Sequence, residues 1–261
     1  MQKKLKISAI QTDIVWENIE KNLQNIEKKI LNAEDSDIFI LPEMFTTGFT
    51  NNIAIINNNN CKKTIETIQN LSNKKNSAIC GSIIYKEENL FFNRFIFVSP
   101  DGNIKFYNKK HLFELGGETN IFTKGNERLI IDYKGFKILP IICYDLRFPV
   151  WIRNKNEYDL IIVVANWPQK RQKIWKILLQ ARAIENQCFV VGVNRIDSDK
   201  NNIKYNGGTA IINYIGNIIN STKYNENQII TEILDKEELD SFKKNMPFLN
   251  DIDNFEIKPE N

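Results

Sequence analysis

The sequence predicts an α/β protein built on a mixed sheet, and three observations carry that expectation. Short apolar runs rich in Ile, Val and Phe recur through the chain, several of them continuous, as strands buried on both faces are. Between them lie stretches whose apolar residues fall three or four apart, the period of one helix face. A hairpin-like stretch over residues 78–106 interrupts this alternation and adds antiparallel pairing to an otherwise βαβ-like order.

Residues 5–10 read as the first strand. Trp16, Ile19, Leu23, Ile26 and Ile30 then form one stripe on a helix that Asp13 is expected to cap. Residues 38–41, 78–85, 90–98, 137–142 and 160–165 follow as strands. Ile174, Trp175, Leu178, Leu179 and Ile184 mark a second long helix, with Pro168 near its start, where a missing N–H costs least. Residues 189–193 and 209–214 complete the set of strands. No internal repeat and no Gly/Ser- or Pro-rich linker divides the chain, so residues 1–261 are expected to form one domain with a polar tail from about residue 247.

Composition narrows the chemistry. With 35 Lys and Arg against 32 Asp and Glu, the formal charge of +3 is too small over this length for the field that nucleic-acid binding uses. The single histidine, His111, excludes zinc sites built on several imidazoles. Cys61, Cys80, Cys143 and Cys188 show no close pairing of the metal-clip or redox kind and read as free thiols. No apolar run approaches the ~18 residues of a membrane helix, and the N-terminal MQKKLKISAIQ lacks a signal-peptide core. A reducing cytoplasm is the expected compartment, with no metal or cofactor. The uninterrupted Asn57 to Asn60 reads as compositional bias.

Ligands of open α/β sheets bind at the carboxyl ends of strands, so residues that end apolar runs are the first candidates. In DIFILPEMF a buried strand stopped by Pro42 delivers Glu43. In FYNKKHLFELGGE a shorter strand delivers Lys109 and Lys110. In ILPIICYDLRFP a strand delivers Cys143, with Asp145, Arg147 and Pro149 forcing a turn. Taken singly, each also fits a bland role: a solvated loop acid, an exposed lysine, a small core thiol.

Taken together, LPEMF at 41–45, YNKKHLF at 107–113 and CYDLRFP at 143–149 resemble the Glu-Lys-Cys triad of the nitrilase (carbon-nitrogen hydrolase) superfamily. GGE at 116–118, NWP at 166–168, ARAIENQ at 181–187 and GVNR at 192–195 extend the likeness, which runs from AIQTD at 9–13 to residues 209–214. Within the superfamily the chain is most similar to the ω-amidase branch, which hydrolyses the terminal amide of 2-oxo-dicarboxylic acid monoamides. The resemblance implies a four-layer α-β-β-α sandwich with mixed sheets, usually dimeric through a helix-bearing face, and small amides and water as the only reactants. N-carbamoyl amine and aliphatic amide hydrolases share the triad, and a non-catalytic binding subunit would show degraded triad positions, which this chain does not.

The implied roles are chemically coherent. A thiol with an ordinary pKa near ~8.5 is mostly protonated at neutral pH, so Cys143 needs a base, and a desolvated Glu43 fills that role without imidazole. Lys109 and the Tyr144 backbone N–H would stabilise the oxyanion, a donor of this kind being worth ~3 to 4 kcal/mol of barrier. Glu118 matches a second glutamate of the family's pocket, contacting the lysine or the substrate. Arg147 is expected either to grip a substrate carboxylate bidentately or to pair with an acid such as Asp145 and stiffen the turn. Asn166 and Trp167 are expected at the pocket mouth, with packing slightly favoured over substrate contact for Trp167. Arg182 and Glu185 read as a structural ion pair and His111 as the residue that orients the lysine loop. Where relatives tend to show Tyr-Arg-Gly, a polar residue and Ser, this chain has YNGGT at 205–209, which leaves substrate contacts there unassigned.

Overall fold

The computed structural model describes residues 3–258 of the chain. The first two residues of the N-terminal segment and residues 259–261 of the predicted polar tail lie outside the described residues. The chain opens with β1 (Lys4–Gln11), α1 (Ile19–Asn32), β2 (Ile38–Ile40), α2 (Asn58–Lys75), β3 (Ala78–Glu87), β4 (Leu90–Val98) and β5 (Ile104–Asn108). After a long loop come β6 (Ile131–Tyr133), β7 (Phe136–Ile142), the single-turn α3 (Pro149–Ile152), β8 (Leu160–Ala165), α4 (Gln172–Asn186) and β9 (Phe189–Asn194). The last part holds β10 (Ile196–Ser198), β11 (Lys204–Asn206), β12 (Ala210–Ile212), β13 (Ile218–Ser221), β14 (Gln228–Asp235) and α5 (Lys236–Asn245).

The strands form two six-stranded sheets, ordered β14-β1-β2-β3-β4-β5 and β13-β12-β9-β8-β7-β6, with a separate β10-β11 ribbon. Each large sheet has three parallel strands, β1-β2-β3 or β7-β8-β9, flanked by antiparallel ones. Alternation along the first sheet assigns its faces. Leu5, Ile7, Ile38, Ile40, Phe95 and Phe97 join the second sheet's side chains in the central core. Their neighbours Ile10, Phe39, Leu41, Ile96 and Val98 pack instead on Leu23, Ile26 and Ile30 of α1 and Ile68 and Leu71 of α2. On the far side of the second sheet, Trp175, Leu179 and Ala183 of α4 are buried. Helices, sheet, sheet and helix thus stack as four layers, the α-β-β-α sandwich expected from the resemblance, and there are two mixed sheets where the apolar runs alone suggested one.

Several local expectations are corrected. Asp13 does not cap α1; Asn18 does, accepting from the Lys21 N–H at 3.0 Å. Glu17 sits at a φ of 54°, a left-handed residue that breaks any helix running from Trp16. On α4 the buried stripe is Trp175, Leu179 and Ala183, while Ile174, Ile177 and Ile184 face outward. The asparagine run has a structural use: Asn57 accepts from the Asn60 N–H at 2.9 Å and caps α2. The predicted strand over 209–214 shortens to three residues, preceded by Gly207 and Gly208 at φ 80° and 79°. A Cβ on Gly207 would lie 2.1 Å from Gln11 Oε1, so the YNGGT loop presses backbone against β1 where only glycine fits. The tail beyond Pro247 makes one further helical turn that buries Leu249, then runs to Phe255, whose carbonyl accepts from Lys155 Nζ at 2.8 Å.

Candidate active site

The carboxyl ends of β2, β5, β7 and β8 deliver the residues singled out by sequence to one place. Beyond β2, Leu41 N–H donates to Cys80 O at 2.7 Å, and Met44 N–H to Ser82 Oγ at 2.9 Å, so β3 keeps the strand extension around Glu43 in register. Lys109 directly follows β5 and is pinned on both sides, its N–H to Asn93 O at 2.9 Å and its carbonyl to Gly125 N–H at 2.8 Å. Cys143 directly follows β7 at a φ of 44°. That left-handed conformation costs a non-glycine residue roughly 1–2 kcal/mol. It turns the chain sharply out of the strand and leaves the thiol half-buried in the cavity wall.

Behind the thiol lies a charge cluster sealed from water: Glu43 and Glu118 are 0% exposed and Lys109 1%. Lys109 Nζ donates to Glu43 Oε1 at 2.9 Å and to Glu118 Oε2 at 2.7 Å. Phe113 N–H donates to the same Glu118 oxygen at 2.7 Å. Asn93 Nδ2 bridges the two carboxylates, at 2.8 Å from Glu43 Oε1 and 3.1 Å from Glu118 Oε1, and its Oδ1 accepts from Ser82 Oγ at 2.8 Å. Asn166 closes the cluster from β8, its N–H donating to Glu43 Oε2 at 2.8 Å and its Nδ2 to Glu43 O at 2.8 Å. Lys109 Nζ, Asn93 Nδ2, Phe113 N–H and Asn166 N–H all donate to the two carboxylates, which is how a buried acid is kept without a large desolvation loss.

The electrostatics follow from one ammonium between two acids. Burial works against charge on Lys109, but Glu118 and Glu43 outweigh it and hold its pKa above the ordinary lysine value. Burial, with Glu43 adding to it and Lys109 opposing, raises Glu118 above the ordinary carboxylate value. Burial, then the negative Glu43, push the Cys143 thiol well above the ordinary range, with Lys109 compensating only in part. Cys143 is therefore a neutral thiol at rest beside Glu43, and not one half of a standing ion pair.

The turn after Cys143 is braced by a second buried acid. Asp145 accepts from Ile142 N–H at 3.0 Å, Tyr107 Oη at 2.8 Å and His111 N–H at 2.8 Å, with His111 Nδ1 at 2.9 Å. It ties the turn after Cys143 to the lysine loop through His111, whose ring is stacked on Phe148 with centroids 3.7 Å apart. Asp145 does not pair with Arg147, because its oxygens are taken by these donors. The Arg147 guanidinium lies instead 4.9 Å from the Trp167 ring centroid. Arg182 meets Glu185 at 2.8 Å and also donates to Leu146 O at 2.7 Å, so the ion pair anchors the turn's far end.

A cavity of about 710 Å³ opens on this cluster. Cys143, Lys109, Tyr144, Arg147, Asn166 and Trp167 line it. Glu43 and Glu118 do not, standing behind Lys109. Trp167 N–H is fixed by Asn194 Oδ1 at 2.8 Å, and Asn166 Oδ1 is buried with no hydrogen-bond partner. Sequence reasoning passed over Asn93, Ser82 and Asn194. The signal was present in each case as a polar residue inside a strand otherwise apolar, FFNRF, GSII and VGVNR, where burial obliges it to find a partner. Among the described residues, no group of three or more His, Cys, Asp and Glu side chains is arranged to hold a metal ion.

The chain is 38% identical to omega-amidase YafV of Yersinia enterocolitica, over 96% of this chain and 98% of that protein. It is 32% identical to a 2-oxoglutaramate amidase of Bacillus subtilis, over 95% and 98%. In structure it matches XC1258 of Xanthomonas campestris, a CN-hydrolase superfamily protein solved with an arsenic adduct in its active site, at a TM-score of 0.90 and 35% identity, covering 98% and 99%. Residues 6–244 match the family described as carbon-nitrogen hydrolase, and the chain belongs to that family.

Proposed function

We propose that the protein is an ω-amidase, which hydrolyses 2-oxo-dicarboxylic acid monoamides such as 2-oxoglutaramate and 2-oxosuccinamate to the diacid and ammonia. The observation that carries this reading is the near-full-length similarity to an omega-amidase and a 2-oxoglutaramate amidase. In the proposed cycle Cys143 Sγ attacks the amide carbon while Glu43 takes the thiol proton. Lys109 Nζ and the Tyr144 N–H hold the oxyanion, and Glu118 holds Lys109. The C–N bond breaks as Glu43 returns the proton to the leaving nitrogen, which departs as ammonia. Water deprotonated by Glu43 then cleaves the thioester, and the thiol is restored. Arg147 meets the substrate carboxylate, supported by its place on the cavity wall and its freedom from Asp145. Asn166 and Trp167 complete the binding wall.

The reading extends to one catalytic domain acting as a cytoplasmic homodimer. In its favour are the four unpaired thiols, as a reducing compartment keeps them, and the outward Ile174, Ile177 and Ile184 on α4, as a helix-bearing interface presents. An ammonia-release assay over 2-oxo acid monoamides, N-carbamoyl compounds and aliphatic amides tests it, with Cys143→Ala as control. The expected outcome is turnover of 2-oxo acid monoamides that the variant loses. Turnover confined to N-carbamoyl compounds or aliphatic amides overturns the substrate class, and an active Cys143→Ala overturns the nucleophile.

A further inference from the structure

We infer that Arg171 is a second substrate-binding cation and that, with Arg147, it makes the cavity a charge filter favouring 2-oxo acid amides over their 2-amino counterparts. The inference rests on the ω-amidase reading. Beyond Lys109, the cavity wall carries Arg147, Lys170, Arg171 and Lys204, and among the described residues no Asp or Glu contributes to it. Asp13 and Asp197 face a separate depression, on the other side of Tyr205 and Lys204.

The two arginines are built alike. Arg147 lies over the face of Trp167 at 4.9 Å and Arg171 over the face of Phe113 at 5.3 Å. A guanidinium stacked this way spends its π face on the ring and keeps its in-plane N–H groups for a planar anion. Both aromatic platforms are fixed to the catalytic cluster. Phe113 N–H is bonded to Glu118, and Trp167 follows Asn166, which is bonded to Glu43. Trp167 Nε1 in turn donates to Arg171 O at 2.9 Å, so the turn bearing Arg171 is tied to the platform under Arg147. The cations are thereby held at a set distance from Cys143.

A 2-oxo acid presents a carboxylate and an adjacent carbonyl oxygen, three acceptors and no donor, which suits two guanidinium edges. The 2-amino acid amide of the same length replaces the carbonyl with an ammonium. It would enter a wall of cations with no carboxylate to meet it, losing an acceptor and gaining like-charge repulsion.

The test compares kcat and KM for 2-oxoglutaramate, L-glutamine and valeramide in the wild type and in Arg171→Met, Arg171→Lys, Arg171→Glu and Lys173→Met. Lys173 is exposed at the start of α4 and outside the cavity wall, so its variant removes the same charge elsewhere. Arg171→Met is expected to raise KM for 2-oxoglutaramate by about tenfold to a hundredfold, the worth of a charge-assisted contact, and to change valeramide far less. Arg171→Lys should fall between, Arg171→Glu should lower the 2-oxoglutaramate to glutamine ratio most, and Lys173→Met should keep the wild-type ratio. Melting curves identify any variant that fails to fold, and the conservative lysine variant then carries the comparison. A parallel loss on all three amides, or an equal shift in Lys173→Met, overturns the inference while the ω-amidase reading stands. A wild type inert toward 2-oxoglutaramate overturns both.

Discussion

Glu118 shows how tightly a single side chain is specified in this cluster. One of its oxygens accepts from Lys109 Nζ and Phe113 N–H, and the other from Asn93 Nδ2. A glutamine in its place must aim an amide N–H₂ at one of these donors, whichever way it is turned, and it leaves Lys109 with one carboxylate. Glu118→Gln is therefore expected to lower stability by about 2–4 kcal/mol. Because Lys109 would shift on its mount, kcat should also fall, by ~10- to 100-fold. Thermal melts and initial rates on one preparation check both, and a stable variant with wild-type kcat would show that Glu118 has no part in placing Lys109. At this scale the sequence was most legible where a chemically active side chain ends an apolar strand: Glu43, Lys109 and Cys143 gather with Glu118 in one cluster, with Lys109 and Cys143 on the cavity wall. The asparagines were harder to read, since Asn93 and Asn194 stand in a chain that uses Asn freely, and what marks them is their place inside otherwise apolar strands, where they are buried.

The elements read from sequence are those with continuous or well-spaced apolar residues. Among the elements not read from sequence, three of the longest share a physical reason. Helix α2 buries Cys61, Thr64, Ile68, Leu71 and Ser72, a stripe at helical spacing but partly polar. Strand β14 alternates Ile, Thr, Glu and Leu and is only half-buried along most of its length. Helix α5 buries Leu239 alone and is held mainly by charge. Asp159, in the turn before β8, accepts from Lys236 Nζ at 2.8 Å, Lys243 Nζ at 3.3 Å and Lys137 N–H at 3.1 Å. Burial opposes its ionisation, but these donors outweigh it and hold its pKa below the ordinary carboxylate value. A group depressed on folding contributes stability above its unfolded pKa of about 3.9 and loses it as the pH falls through the lower folded value. Asp159→Asn is accordingly expected to cost about 2 kcal/mol at pH 7. The gap in melting temperature from the wild type should close under acid conditions, below both pKa values, and a gap that stays constant from neutral to acid pH would exclude the ionic account.

At the scale of the whole molecule, the alternation of strand and helix correctly announces the α/β class, but it does not announce two sheets. Leu5, Ile7 and Phe95 look the same in sequence as Ile10, Phe39 and Ile96, although the first set meets another sheet and the second meets helices. Both surroundings are apolar, so a run of Ile and Phe satisfies either, and the layer order became legible only through the resemblance to a family. The pairing of β1 with β14 over eight residues, Lys4 opposite Asp235 through Gln11 opposite Gln228, was equally hidden, because its partners lie at opposite ends of the chain. That pairing dictates the order of events during synthesis. Strand β1 is synthesised well before its partner and keeps an open edge until more than two hundred further residues have emerged, and an unpaired strand edge is a template for intermolecular association. A chain cut short before Gln228 therefore leaves that edge of β1 open, and such a truncation is expected to aggregate instead of forming a smaller amidase, as light scattering of the purified fragment would check.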